Sequence, residues 1–180
     1  QASSSAASDV YKRQDILSAW RKAGTRGSNA HSQWSDRLAG SDKAAAFLAQ
    51  MKTDVSADAG TAIATLKASL SETPQKVATR VASQRIIEAL LPVCTGLFGG
   101  SADLTGSNNT KVGGHSIFSA DNPAGSYVHY GVREHGMAAA MNGIALHGGL
   151  VPFGGTFMVF TDYCRPSIRL SALMQQQVIY

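Results

Sequence analysis

At 180 residues, 44% hydrophobic and 16% charged with 18 glycines, the chain carries enough apolar material for a real core, which argues against wholesale disorder. No apolar run reaches the ~18 residues of a membrane span, and no signal peptide is visible. The net charge of +4 is uneven: residues 1–80 hold 11 Lys/Arg against 7 Asp/Glu and residues 81–180 hold five of each, so the glycine-rich half is neutral, unlike a nucleic-acid-binding surface.

Residues 1–14 open on a Gln/Ala/Ser tract and continue as DVYKRQ, which reads as a non-native leader and is excluded from the fold. Residues 15–72 are rich in Ala, Lys and Asp and read as a helical connector between domains. Helices are expected over 15–22, over 29–38 with Trp34 and Leu38 on one face, over 41–50 with Ser41 as cap, and over 57–70 with Ile63, Leu66 and Leu70 in register. Thr73-Pro74 is expected to open a further helix, with Val77, Val81, Ile87 and Leu90 as its apolar face.

From there the texture changes. LFGGSADL and YVHYG read as strands, followed by a helix over 133–147. LVPFGG then reads as a strand, followed by a helix over 157–175, and QVIY as the start of a buried strand. Such alternation predicts an α/β fold with a parallel sheet, whose ligands sit at the carboxyl ends of the strands. The glycine pairs at 99–100 and 154–155, and Gly131, are expected in the loops at those ends. The abrupt stop within QVIY and the leader together suggest a piece of a longer chain. Cys94 and Cys164 form no CxxC or Cys/His metal pattern, and read as reduced thiols of a reducing compartment, most simply the cytoplasm.

Three segments could carry chemistry. GGSADLTGSN, residues 99–108, is either a self-bonded polar turn or a ligand loop in which glycines admit a close approach. In YVHYGVREHGM, residues 127–137, Glu134 falls in a first helical turn. It is either a carboxylate favoured by the helix dipole or one shielded from water and able to exchange a proton. In GGTFMVFTDYCR, residues 154–165, Phe157, Phe160 and Tyr163 share one side of a helix start, as core packing or as a pocket for a flat heterocycle. His31, His115, His129, His135 and His147 show no metal-ligand spacing and read as structural.

Together these segments resemble transketolase. GGSADLTGSN is similar to that family's GGSADL-x-x-SN loop, HYGVREHGM to its HYGVRE-x-GM segment, and LHGGLVPFGGTFMVFTDYCRPSIRLSALM continues in register. VATRVASQRIIEAL resembles the helix before the family's first strand. The resemblance covers residues 15–180 and implies a helical linker, 15–72, followed at 73–180 by part of a doubly wound parallel-sheet domain that binds the aminopyrimidine of thiamine diphosphate. It implies that Glu134 faces N1′ of that ring, that Phe160 stacks on it with Phe157 and Tyr163 beside it, and that Arg80, Ser107 and Asp103 meet the sugar-phosphate substrate. The GDG…N segment that holds Mg²⁺ and the diphosphate in the family is absent, so these residues supply no metal ligand and half of a site shared between the subunits of a homodimer. The implied activity is transfer of a two-carbon ketol unit between sugar phosphates, with the isolated chain inactive. Dihydroxyacetone synthase and a non-catalytic transketolase-like subunit stay open as alternatives; neither a membrane nor a nucleic acid is an expected partner.

Overall fold

The computed structural model describes residues 13–52 and 56–180; the leader expected over 1–14 lies almost wholly outside the described residues. By contact the chain divides into two compact units, Gln1–Ala46 and Phe47–Tyr180. In the first, α1 (Gln14–Thr25) and α2 (Ser28–Ala39) bury no residue. Their stability is local: Arg13 pairs with Asp15 at 2.7 Å beside the start of α1, and Ser35 Oγ donates back to the His31 carbonyl. The His31 and Trp34 rings stand 6.1 Å apart on α2. Helix α3 (Ala44–Lys52) carries the chain from this unit into the second.

In the second unit α4 (Ser56–Glu72) comes first, and α5 (Thr79–Leu90) follows. The helix expected to open at Thr73-Pro74 is not there. Residues 74–78 run without regular structure to Ala78, at φ −66° and ψ 150°, and the helix begins at Thr79. The Arg85 guanidinium donates to Gln75 Oε1 at 2.6 Å, tying the segment back across the helix. Val77, expected on the apolar face, is exposed.

The sheet has three parallel strands in the order β2-β1-β3, with β1 (Leu97–Ser101) between β2 (Tyr127–His129) and β3 (Val151–Gly155). Helix α7 (Glu134–His147) crosses from β2 to β3, and a short helix α6 (Thr105–Asn108) follows β1. After β3 a 3-10 turn (Met158–Phe160) leads into α8 (Thr161–Leu173). The terminal segment expected as a buried strand makes one parallel bridge, Ile179 to Phe153, and Ile179 is 45% exposed. The α/β parallel architecture expected from the alternating pattern is present.

The glycines at 99 and 100 lie inside β1, not in a ligand loop. A Cβ at Gly99 would stand 2.0 Å from the Phe153 carbonyl, and one at Gly100 1.8 Å from that of Val128. Their role is to let the two neighbouring strands close on the central one. One core cluster joins Ile87, Leu97, Tyr127, Val151 and Phe153; a second joins Ala102, Met137 and Met141. Each such side chain, fully buried, contributes about 1.5–3 kcal/mol. Cys94 and Cys164 are buried free thiols, and burial pushes both thiol pKa values up.

Candidate functional site

The carboxyl ends of β1, β2 and β3 face one another, and the candidate residues follow from them. After β2 the chain turns through Gly131, at φ +70°, where a Cβ would also meet the Arg133 guanidinium at 2.4 Å. Arg133 donates from its backbone N–H to the Gly131 carbonyl and from Nη1 to the Tyr130 carbonyl, at 2.8 and 3.1 Å. This turn starts α7 at once, so Glu134 is its first residue. Glu134 is 8% exposed, and its carboxylate has no hydrogen-bond partner among the described residues. The helix N-terminus, with its unpaired N–H groups, is the main compensation for its charge.

Glu134 opens on a cavity of about 450 Å³ walled by Leu104, Val132, Phe160 and Tyr163, with Asp103 at the β1 side. The aromatic residues form a ladder. Phe157 and Phe160 stack at 6.0 Å and 19°, and Phe160 and Tyr163 at 6.0 Å and 22°. The 3-10 turn explains the first pair, since side chains three apart eclipse in that geometry, and Tyr163 extends the stack from the first turn of α8. Asp103 sits in the left-handed region at φ 59°, which aspartate tolerates better than most side chains.

On the other side of the β3 end lies a second cavity of about 650 Å³, lined by Arg80, Ser107, Asn108, Thr156, Phe157 and Cys164. Arg80 Nη1 reaches the Ser107 carbonyl at 3.5 Å. The seven candidate residues thus fall into two groups: Glu134, Asp103, Phe160 and Tyr163 around one cavity, Arg80, Ser107 and Phe157 around the other. Thr156 Oγ1 is buried there without a partner.

Several residues here escape a reading of the sequence. Ser101 is fully buried and bonds Gly155 O, Leu104 N and Asn108 Nδ2 at 3.0–3.1 Å. Tyr127, also fully buried, places its hydroxyl 2.8 Å from Thr105 Oγ1 and 2.7 Å from Thr110 Oγ1. Thr110 in turn donates to Asn108 Oδ1 at 2.9 Å. Of these, Thr105 and Asn108 stood out in the sequence, as polar groups of one loop; Tyr127 reads there as an ordinary strand aromatic. Of the histidines, His129 Nδ1 lies 3.5 Å from Thr105 Oγ1 and His135 Nδ1 3.2 Å from Ser167 Oγ. His147 Nδ1 lies 3.1 Å from the Gly148 carbonyl. Among the described residues no group of three or more His, Cys, Asp and Glu could hold a metal ion, and no helix is long and apolar enough to cross a membrane.

Glu134 thus faces a cavity whose other walls are apolar or aromatic apart from a second carboxylate, Asp103.

Comparison with known proteins points the same way. The model of the transketolase pyrimidine-binding domain matches residues 75–180. A transketolase of Cereibacter sphaeroides is 54% identical over 166 residues, covering 92% of this chain and 25% of that protein. Transketolase 1 of Escherichia coli is 39% identical over 177 residues, covering 96% and 26%. Among solved structures, a Leishmania mexicana transketolase superposes with a TM-score of 0.76 at 34% identity, over 94% of this chain and 25% of that one. A Pichia stipitis transketolase in complex with sedoheptulose 7-phosphate gives 0.75 at 28% identity, over 93% and 26%. The chain spans about a quarter of the length of the curated relatives it matches.

Proposed function

We propose, from the premise that this chain belongs to the transketolase pyrimidine-binding domain family, that it serves a thiamine-diphosphate-dependent transketolase by holding the aminopyrimidine ring and one end of a sugar-phosphate substrate. The observation that carries the reading is Glu134, 8% exposed at the start of α7 and opening on one cavity with Phe160 and Tyr163. Thiamine diphosphate supplies the carbanion-stabilising chemistry needed to move a two-carbon ketol unit from a ketose phosphate to an aldose phosphate. Glu134 holds a proton at N1′ of the ring and exchanges it, which is general acid–base work. Phe160 stacks on the ring face, Tyr163 covers its edge, and Leu104 and Val132 line the apolar side of the same cavity. Asp103 stands at the substrate side of the same cavity.

Arg80 and Ser107 take the phosphate end of the sugar in the larger cavity. A guanidinium offers a planar fork of donors for phosphate, and the Ser107 hydroxyl adds a neutral bond. Phe157 walls that cavity against the first. The diphosphate and its Mg²⁺ fall to residues outside this chain, brought by a second subunit of a homodimer. The exposed apolar rim favours such a partner: Val132 is 77% and Tyr163 65% exposed at the carboxylate cavity, and Met158 is 89% exposed at the larger one.

The test is Glu134→Gln in the enzyme that carries this domain. The change keeps the shape but removes the exchangeable proton. Ketol transfer should fall by about 10²–10⁴-fold, the range for a general acid–base group. Turnover near that of the unaltered enzyme would remove Glu134 from this role.

A further inference from the structure

Five side chains link the ends of the three strands in one chain of hydrogen bonds, and its direction is forced. Ser101 Oγ lies 3.1 Å from the Gly155 carbonyl, which can only accept, so the serine donates there. With its hydrogen used, Ser101 accepts from the Leu104 N–H and from Asn108 Nδ2. Asn108 therefore turns its Oδ1 to Thr110, which must donate to it. Thr110 then accepts from Tyr127, and Tyr127 from Thr105. The order Thr105 to Tyr127 to Thr110 to Asn108 to Ser101 to Gly155 leaves the serine hydroxyl saturated and the tyrosine hydroxyl with both partners.

This chain does more than fill a core. Thr105 is the first residue of α6, the short helix that carries Ser107 and Asn108. Asp103 stands two residues before it, held at φ 59° although that region is costly for most side chains. The loop itself has few other ties: the Ser107 and Asn108 N–H groups both return to the Leu104 carbonyl, at 2.8 and 2.9 Å. A helix of four residues has no stability of its own. Two strands tie it to the sheet: Ser101 of β1 accepts from the Leu104 N–H and Asn108 Nδ2, and from the edge strand β2 the hydroxyl of Tyr127, a side chain with no exposed surface, and His129 Nδ1 both reach Thr105 Oγ1.

We propose that Tyr127 is a positioning residue whose hydroxyl sets the loop 103–108, and with it Asp103 and Ser107, at the carboxyl edge of the sheet. It touches no substrate and acts through Thr105 and Thr110. The proposal deepens the reading of Ser107 as a sugar-phosphate contact and rests on that reading for its functional meaning, but the order of the loop can be measured without it.

Backbone-amide hydrogen exchange, resolved to single residues in the enzyme that carries this domain, is the test. Tyr127→Phe removes the hydroxyl and keeps the ring. Exchange at Leu104, Ser107 and Asn108 should speed up by about 10-fold, as loss of one or two buried hydrogen bonds gives. Exchange at Val151 and Leu91, whose N–H groups bond Gly96 and Ile87, should stay within about twofold. Unchanged loop amides, or an equal rise everywhere, would overturn the proposal. Should Tyr127→Phe fail to fold, Thr105→Val and Thr105→Ser decide: valine should speed the loop amides and serine, which keeps the hydroxyl, should not. Equal rates in those two would overturn it as well. Titration with inorganic phosphate, read at the Arg80 and Ser107 resonances of the unaltered enzyme, tests the substrate reading separately. Silence there sinks the phosphate assignment, while the exchange rates still judge Tyr127.

Discussion

The two cavities beyond the strand ends differ in charge. One holds two carboxylates, Glu134 and Asp103, among apolar and aromatic walls, and the other a guanidinium among hydroxyl, amide and apolar groups. Two adjacent glycines at the end of β3 line the larger one. A Cβ on Gly154 would meet Met141 and Met137, on the helix that starts with Glu134, at 2.3 and 3.0 Å. A Cβ on Gly155 would meet Thr110 and Asn108, beside Ser107, at 2.4 and 2.8 Å. The lesson is that one strand end leaves room for different neighbours on its two sides, methionine side chains on one and a hydrogen-bonded loop on the other.

Four changes test that division, in falling order of effect. Glu134→Gln should lower turnover by about 10²–10⁴-fold while the KM for sugar phosphates stays within about threefold, since uniform binding is untouched. Arg80→Ala should do the reverse. Losing a charge-assisted bond worth about 1.5–3 kcal/mol should raise the KM for a phosphorylated acceptor by roughly 10–100-fold and leave a phosphate-free analogue unaffected. Equal turnover losses in both variants, in steady-state kinetics, would erase the distinction.

The glycines give a stability pair. Gly155→Ala should cost about 1–3 kcal/mol in denaturant unfolding, the usual cost of overpacking, because the groups it strikes are held in a hydrogen-bond network. Gly154→Ala should cost about 1 kcal/mol or less, because methionine ends can move aside. The reverse order would mean that the two sides are not built as described. The smallest effect is one of pH, and it should touch both sides alike. His115 lies between Tyr127 and Phe153, at ring distances of 5.4 and 5.8 Å, and its Nδ1 accepts the Val112 N–H. Burial, helped by the charge of Lys111, pushes its pKa below the ordinary 6.5. As the pH falls below that value the unfolded chain takes up a proton that the folded one declines, so stability should drop through that window. His115→Gln should flatten the dependence in thermal unfolding between pH 7 and 5; an unchanged slope would clear His115 of it.

How much of this was legible in the sequence depends on the distance over which the cause acts. Glu134 at a helix start and the ring trio follow from local spacing, and so does the alternation that specifies a parallel sheet. The trio's division between two cavities does not, because it depends on a 3-10 turn where an α-helix was expected. The glycines of β1 were misplaced for a similar reason: a GG pair looks the same in a loop and in a crowded strand, and the deciding atoms belong to Phe153 and Val128. The same limit hid the start of α5, set by a tether from Arg85 to Gln75. It also hid Tyr127, whose hydroxyl partners lie 17 and 22 residues away.

Asp103 has a bearing on protein engineering. Its backbone, at φ 59°, is one that glycine adopts freely and aspartate at some cost. A search for heat-resistant variants would therefore be drawn to glycine at this position, and the assay it used would report success. The same exchange would strip the carboxylate from the wall of the cavity that holds Glu134. Durability and chemistry pull against each other at that single residue, and a library selected on melting temperature alone would settle the contest the wrong way.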